Sequence, residues 1–219
     1  MNISELIQKN PALHELPSGE LVSFTIGDHI LHYFDKIIPE GGKTVETGAG
    51  MSTLAFAIKN CSHFAIMPEQ NVKNRILSFA KENGIPTDKL NIIVEESQFF
   101  VPNFKETDFD MVLIDGLHAF PVPFIDWLYL SRKLKVGGYL VVDDTQIWTG
   151  EILKRFMTLE PEWRLIENIA GKAVVFRKVK EQVDNKEWKD QRFIVMNSDI
   201  NMDFLEVFPK EIISMVFSE

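Results

Sequence analysis

Val45-Glu46-Thr47-Gly48-Ala49-Gly50-Met51-Ser52-Thr53 joins a short apolar run to the amphipathic segment Leu54-Ala55-Phe56-Ala57-Ile58. An acidic residue, two glycines one residue apart and then Ser-Thr at a helix start is how a ligand loop is built at a strand end. Glycines there allow positive φ and close approach of a ligand to the backbone. The free N–H groups of the helix that follows favour a carboxylate or hydroxyl. The stretch therefore predicts a strand, a binding loop and a helix, in that order.

Upstream, residues 1 to about 40 read as a helical lead-in. Ile26, Ile30, Phe34 and Ile37 or Ile38 recur at helical spacing, and Pro39-Glu40-Gly41-Gly42 ends the run. Downstream, strands are predicted near Lys43–Glu46, His63–Met67, Leu90–Val94, Asp110–Ile114 and Tyr139–Val142. Helices fall between them near Ser52–Lys59 and Asn71–Asn83, and in a segment opened by Pro121 and Pro123 and closed by Gly137-Gly138. In the last, Phe124, Trp127, Leu128 and Leu134 mark the expected buried stripe. A further helix near Glu151–Leu159 leads to a strand pair, Trp163–Glu167 and Ala173–Arg177, turning at Ala170-Gly171-Lys172. Strands alternating with helices imply an α/β sheet wound on both faces. Residues 179–191 are charged and linker-like. The tail begins with a strand-like Phe193-Ile194-Val195-Met196, and Asp199, Asp203, Glu206, Lys210 and Glu211 interrupt its apolar stretch.

At 219 residues the chain is expected to be a single domain over 1–219: lead-in 1–40, core 41–178 and C-terminal extension 179–219. Its net charge of −9, from 23 basic and 32 acidic residues with no basic block, argues against a nucleic-acid backbone or an anionic membrane as partner. No apolar run is long enough to span a bilayer, and the N-terminus lacks a secretory pattern. The single cysteine, Cys61, suits a reducing cytoplasm and reads as a packing residue.

Three polar clusters fall at the carboxyl ends of predicted strands: Glu46–Gly50, Asp115-Gly116-Leu117-His118 and Asp143-Asp144-Thr145. Open α/β sheets bind ligands along that edge. A dinucleotide site, with a nicotinamide-dependent oxidoreductase as its consequence, would want a third glycine where Thr53 stands. A cofactor without pyrophosphate fits better.

With these motifs the chain resembles class I S-adenosylmethionine-dependent methyltransferases over roughly residues 41–178. Glu-Thr-Gly-Ala-Gly-Met-Ser-Thr is similar to their first motif. Ile-Asp-Gly-Leu-His (residues 114–118) and Gly-Gly-Tyr-Leu-Val-Val-Asp-Asp-Thr (residues 137–145) resemble the branch of small-molecule O-methyltransferases. The resemblance implies a Rossmann-like, doubly wound, mostly parallel sheet with a final antiparallel strand. It implies methyl transfer from S-adenosylmethionine to a small-molecule acceptor, at a hydroxyl. Glu46, Gly48 and Gly50 would hold the methionine part with Ser52 nearby, and Glu96 and Ser97 would border the adenine. The family places a ribose-binding acid about 20 residues past the glycine loop. Met67 stands there, and Glu69 either substitutes for that acid or is a solvated loop carboxylate.

In metal-dependent members of the family, residues at these strand ends hold one divalent cation, which assigns Asp115, Asp143 and Asp144 to Mg2+, Ca2+ or Mn2+. The other reading makes them helix caps, with Asp115 shaping the cofactor pocket. His118 is either a general base acting with Asp115 or a structural, hydrogen-bonded histidine. His14, His29, His32 and His63 lie outside the clusters and receive no catalytic role. Trp148 either walls the substrate pocket or packs in the core, and the Asp110 side chain is expected to be structural. Two further alternatives keep the fold: transfer of another group from a related cofactor, or cofactor binding without catalysis. The residues do not specify the acceptor or whether the chain forms a homo-oligomer.

Overall fold

The computed structural model of the chain describes residues 1–24, 26–183 and 186–198. It opens with helix α1 (Ile3–Lys9), whose start is closed reciprocally. The Asn2 side chain accepts the Glu5 N–H at 2.8 Å, and Glu5 accepts the Asn2 N–H at 2.9 Å. A two-stranded hairpin follows, β1 (His14–Glu15) and β2 (Leu21–Val22), where the sequence predicts only helix. Helix α2 (Asp28–Ile37) buries Ile30, Leu31 and Phe34 on one face, as the apolar spacing predicts. Ile26 is buried too but precedes the helix.

The core then alternates: β3 (Lys43–Thr47), α3 (Met51–Ile58), β4 (Ser62–Met67), α4 (Gln70–Glu82), β5 (Leu90–Val94), the single turn α5 (Ser97–Phe100), β6 (Phe109–Ile114) and α6 (Val122–Leu130). It continues through β7 (Leu134–Val142), α7 (Trp148–Leu159), β8 (Trp163–Ile169) and β9 (Ala173–Lys178). The seven strands from β3 to β9 stand in the order β5-β4-β3-β6-β7-β9-β8. All neighbours are parallel except β9, which is antiparallel to both β7 and β8. This is the expected doubly wound α/β sheet with a final antiparallel strand.

Central strands show why the sheet is covered on both faces. On β6, Met111 and Leu113 pack with Leu31, Phe34 and Phe56 on one side, while Val112 and Ile114 pack with Leu130, Leu153 and Phe176 on the other. Alternate residues serve opposite cores, so the strand reads as a continuous apolar run. Fully burying side chains of this size contributes about 1.5–3 kcal/mol each.

Two expectations in this region are corrected. Gly137-Gly138 does not stop a helix: α6 ends at Leu130, a 3-10 turn covers Ser131–Lys133, and both glycines lie inside β7. Gly137 has φ +90, and a Cβ on Gly138 would meet Leu134 Cδ1 at 2.6 Å, so the pair forms the irregularity where β7 is offset against β6. The α6 stripe also differs: Leu128 is exposed, and the buried positions are Val122, Pro123, Asp126 and Leu130.

Met1–Gln182 form one compact unit, and the described residues from Val183 onward belong to a second. In the latter, Phe193–Met196 is not a strand but part of helix α8 (Arg192–Asn197). Short apolar stretches take strand form only beside a pairing neighbour. Here Val195 N–H instead finds the Gln191 carbonyl at 3.1 Å. The expected interrupted stretch from Asp199 onward lies outside the described residues. Among the described residues no helix is long and apolar enough to cross a membrane.

Candidate functional site

The winding of the sheet reverses between β3 and β6, and a cavity of about 960 Å3 opens at their carboxyl ends. That switch point is where parallel sheets bind ligands. Two loops cross there. Gly48 takes φ +91, and a Cβ on it would stand 2.2 Å from the Asp115 carbonyl oxygen. Only glycine allows both the backbone angle and this approach. The Gly48 N–H donates to the Ile66 carbonyl at 2.8 Å, which ties the loop to β4.

Beneath the loop lies a buried polar network. Thr53 Oγ1 accepts the Gly50 N–H at 2.9 Å and donates to Glu46 Oε1. His63 Nε2 lies 3.1 Å from the same oxygen, and its Nδ1 lies 2.8 Å from Thr44 Oγ1. The His63 ring stacks on Phe56 at 4.3 Å. Glu46 is thus directed under the loop and is absent from the cavity wall, whereas Gly48, Gly50 and Ser52 line it.

The far end of the cavity is bordered by Met67, Pro68, Glu69, Glu96, Ser97 and Gln98. Met67 is buried, while Glu69 is exposed and makes no side-chain hydrogen bond with the described residues at the start of α4. Glu96 is exposed and accepts a hydrogen bond from the Gln98 amide. Below Ser97, on the buried face of α6, neither Asp126 carboxylate oxygen has a hydrogen-bond partner among the described residues. Burial pushes its carboxyl up to about 6, opposed by the nearby Ser97 and Thr47 hydroxyls.

The third region is acidic. Asp115 is raised well above the ordinary carboxylate range by burial and by the neighbouring charges of Asp143 and Glu46. Burial also raises Asp143, against the opposing effect of Lys172, whose Nζ lies 3.3 Å from Asp143 Oδ2. Asp144, at φ +50, places Oδ2 2.9 Å from His118 Nε2. Thr149 Oγ1 donates to the His118 carbonyl at 2.6 Å and so ties the loop after β6 to the first turn of α7. Asp115, His118 and Asp144 each offer a ligand atom, all within 4.8 Å of one another. Asp143, expected in that set, is engaged by Lys172 instead.

Comparison with known proteins bears on what such a cavity serves. The O-methyltransferase TomG of Streptomyces achromogenes, involved in tomaymycin synthesis and solved in complex with SAM, is 14% identical. The match covers 80% of this chain and 90% of that one, with a TM-score of 0.62. A methyltransferase from Geobacter sulfurreducens is 13% identical over 81% of this chain and 89% of its own, at TM-score 0.58. An rRNA methylase from Streptococcus thermophilus is 14% identical over 71% and 99%, at 0.54. These likenesses are of fold. No curated protein sequence matches the chain. The family model described as a methyltransferase domain matches residues 45–145. Over those residues the chain is similar to a methyltransferase domain.

Around the cavity, several wall residues escape a reading of motifs. Lys172 arrives from the β8–β9 turn, and its Nζ also donates to the Ile26 carbonyl at 2.9 Å. Topology contains the signal: β8 runs parallel to β7, so a tight return from it turns at the ligand edge. His14, Ser23, Phe24 and Ile26 also line the cavity, from the segment read as helical lead-in. His63 supports the loop, a role visible only once Thr44 and His63 are known to be register partners. Trp148 is 65% exposed and so is not core. Cys61 is buried and its thiol is pushed up to about 11, chiefly by burial, as fits a packing residue. Asp110 accepts the Lys43 N–H at 2.8 Å and pairs with Lys135, away from the ligand edge.

Proposed function

We propose that the chain transfers a methyl group from S-adenosylmethionine to a hydroxyl of a small-molecule acceptor. The observation that carries this reading is the His118–Asp144 pair, 2.9 Å apart, standing on the wall of the same cavity as the glycine loop. The cavity accommodates an elongated cofactor. Its loop end presents Gly48, Gly50 and Ser52, and its far end presents the surfaces beside Met67, Ser97 and Gln98 that suit a flat base. Glu69 makes no side-chain hydrogen bond with the described residues and stands where the ribose hydroxyls would lie, while Glu96 and Ser97 would border the adenine. Glu46 acts from below, holding the loop through Thr53.

When bound, the cofactor supplies a sulfonium methyl activated for displacement. The protein's part is orientation and removal of one proton. His118 directs Nε2 to Asp144, leaving Nδ1 to take the acceptor's hydroxyl proton. Asp144 orients the imidazole and stabilises the imidazolium that results. Asp115, its carboxyl raised by burial and by the charges of Asp143 and Glu46, lines the same wall beside this pair.

A divalent cation fits the same region. Asp115, His118 and Asp144 would hold it, and Asp143 would lie behind, its Oδ1 lacking a hydrogen-bond partner among the described residues. A mixed carboxylate–imidazole set suits Mn2+ at least as well as Mg2+. Such a cation would lower the pKa of a coordinated hydroxyl.

The net charge of −9 supports a small acceptor over RNA, even though one similar fold belongs to an rRNA methylase. Calorimetry should give S-adenosylmethionine binding, and a hydroxyl-compound panel run beside RNA, with Mn2+ or with chelator, should show methyl transfer to a small molecule. His118→Ala should retain cofactor binding and lose turnover by about 100-fold or more. Absence of cofactor binding would sink the methyltransferase activity. Methylation of RNA alone would sink the acceptor class.

A further inference from the structure

The N-terminal hairpin supplies a wall of the cavity that the reaction above does not use. His14 stands on β1 opposite Val22 of β2. Its backbone is fixed on both sides by Arg75 of α4. Arg75 Nε donates to the Leu13 carbonyl at 3.3 Å, and Nη2 pairs with Glu15 at 2.6 Å. The imidazole rests against Phe24, with ring centroids 5.4 Å apart. It is thereby held over the glycine loop, where a Cβ added to Gly50 would lie 3.2 Å from His14 Nε2.

That distance explains the second glycine differently from the first. Gly50 has φ 175, an extended angle open to any residue, so what glycine supplies there is room beside His14. His14 makes no side-chain hydrogen bond with the described residues. Burial, and then the Arg75 charge, hold its pKa below the ordinary value and so favour the neutral ring, which presents one N–H and one lone pair. An imidazole fixed by its neighbours, with its nitrogen facing a ligand loop, is a recognition group awaiting an acceptor.

Which end of a ligand it meets follows from the cavity's polarity. The loop side carries the N–H groups that begin α3, which favour a carboxylate. The opposite side carries Met67, Ser97 and Gln98. We propose that His14 is a cofactor-binding residue whose Nε2–H donates to the carboxylate at the aminoacyl end of S-adenosylmethionine. This rests on the cofactor reading above. The hairpin is then part of the cofactor site, and Arg75 positions it.

Calorimetry on the full chain with two nucleosides tests the proposal. S-adenosylhomocysteine carries the aminoacyl end, whereas 5′-methylthioadenosine lacks it. His14→Ala should weaken S-adenosylhomocysteine about tenfold and leave 5′-methylthioadenosine within about twofold. His14→Gln, which keeps a side-chain N–H, should recover most of the difference, and that recovery separates hydrogen bonding from loss of fold. Equal weakening of both nucleosides would assign His14 to packing alone and overturn the proposal, as would no effect on either. Wild-type protein that bound neither nucleoside would overturn the cofactor reading and this inference with it.

Discussion

Replacing Thr53 by valine probes whether the glycine loop is held from beneath. Thr53 Oγ1 accepts the Gly50 N–H at 2.9 Å and donates to Glu46, and all three residues are buried. Valine keeps nearly the same shape, so the substitution deletes two hydrogen bonds with little change in volume. Each buried group deprived of its partner costs about 1–3 kcal/mol. Glu46 is poorly placed to absorb the loss, because Oε2 already has no partner and only His63 would remain on Oε1. The added buried methyl offsets about 0.8 kcal/mol. The net expectation is a loss of about 1–5 kcal/mol, large beside the roughly 5–15 kcal/mol that stabilises a typical domain. Thr53→Ser keeps the hydroxyl and should lose only about 1 kcal/mol. Urea titration measures both variants, as a shift of the midpoint at unchanged slope. Cofactor affinity should fall further for valine than for serine, since Gly50 would no longer be anchored. A valine midpoint no lower than the serine one would refute the idea that this hydroxyl carries the loop.

Asp126 and Lys172 give two further expectations. The Asp126 carboxyl is pushed from an ordinary 3.8 to about 6, so between those values the folded protein holds a proton that the unfolded chain has released. Its contribution therefore makes stability fall as pH rises through that window and level off above it. Asp126→Asn should be the more stable protein at pH 8, by at most about 3 kcal/mol, and should converge with wild type near pH 4. Parallel stability profiles for the two proteins would contradict this. Lys172→Met removes an ammonium 3.3 Å from Asp143 and 3.8 Å from Asp144. Freed of that charge, the acidic cluster should bind Mn2+ about tenfold more tightly by calorimetry. An unaltered Mn2+ isotherm would show that the lysine does not compete for the cluster.

The sheet was legible because its causes are local. Met111–Ile114 and Leu140–Val142 are apolar at every position since both of their faces are covered, and that pattern survives in the sequence. Gly48 was legible for the same reason: a positive φ at a strand end demands glycine. Gly137-Gly138 misled because the identical residue type serves two purposes, ending helices and offsetting strands, and only the pairing of β7 with β6 decides between them. In the same way, Phe193–Met196 has strand composition but forms helix α8.

The site was legible along the chain and much less so across it. Its three polar clusters were placed by their strand ends, and the structure gathers Gly48, Asp115, His118, Asp143 and Asp144 around one cavity. What the motif could not convey is the direction of a side chain. Glu46 shares its face of β3 with Thr44, and Thr44 lies opposite His63 on β4, so the acid turns toward His63 and Thr53 rather than into the cavity. Its importance to the loop is the same either way, but its chemistry is not. An acid facing the cofactor would select for a ligand's charge, whereas an acid beneath the loop selects for its shape by fixing Gly50. Recognition of charge must then come from elsewhere, and the group that faces Gly50 from the other side is His14, contributed by a segment whose sequence carries no motif at all.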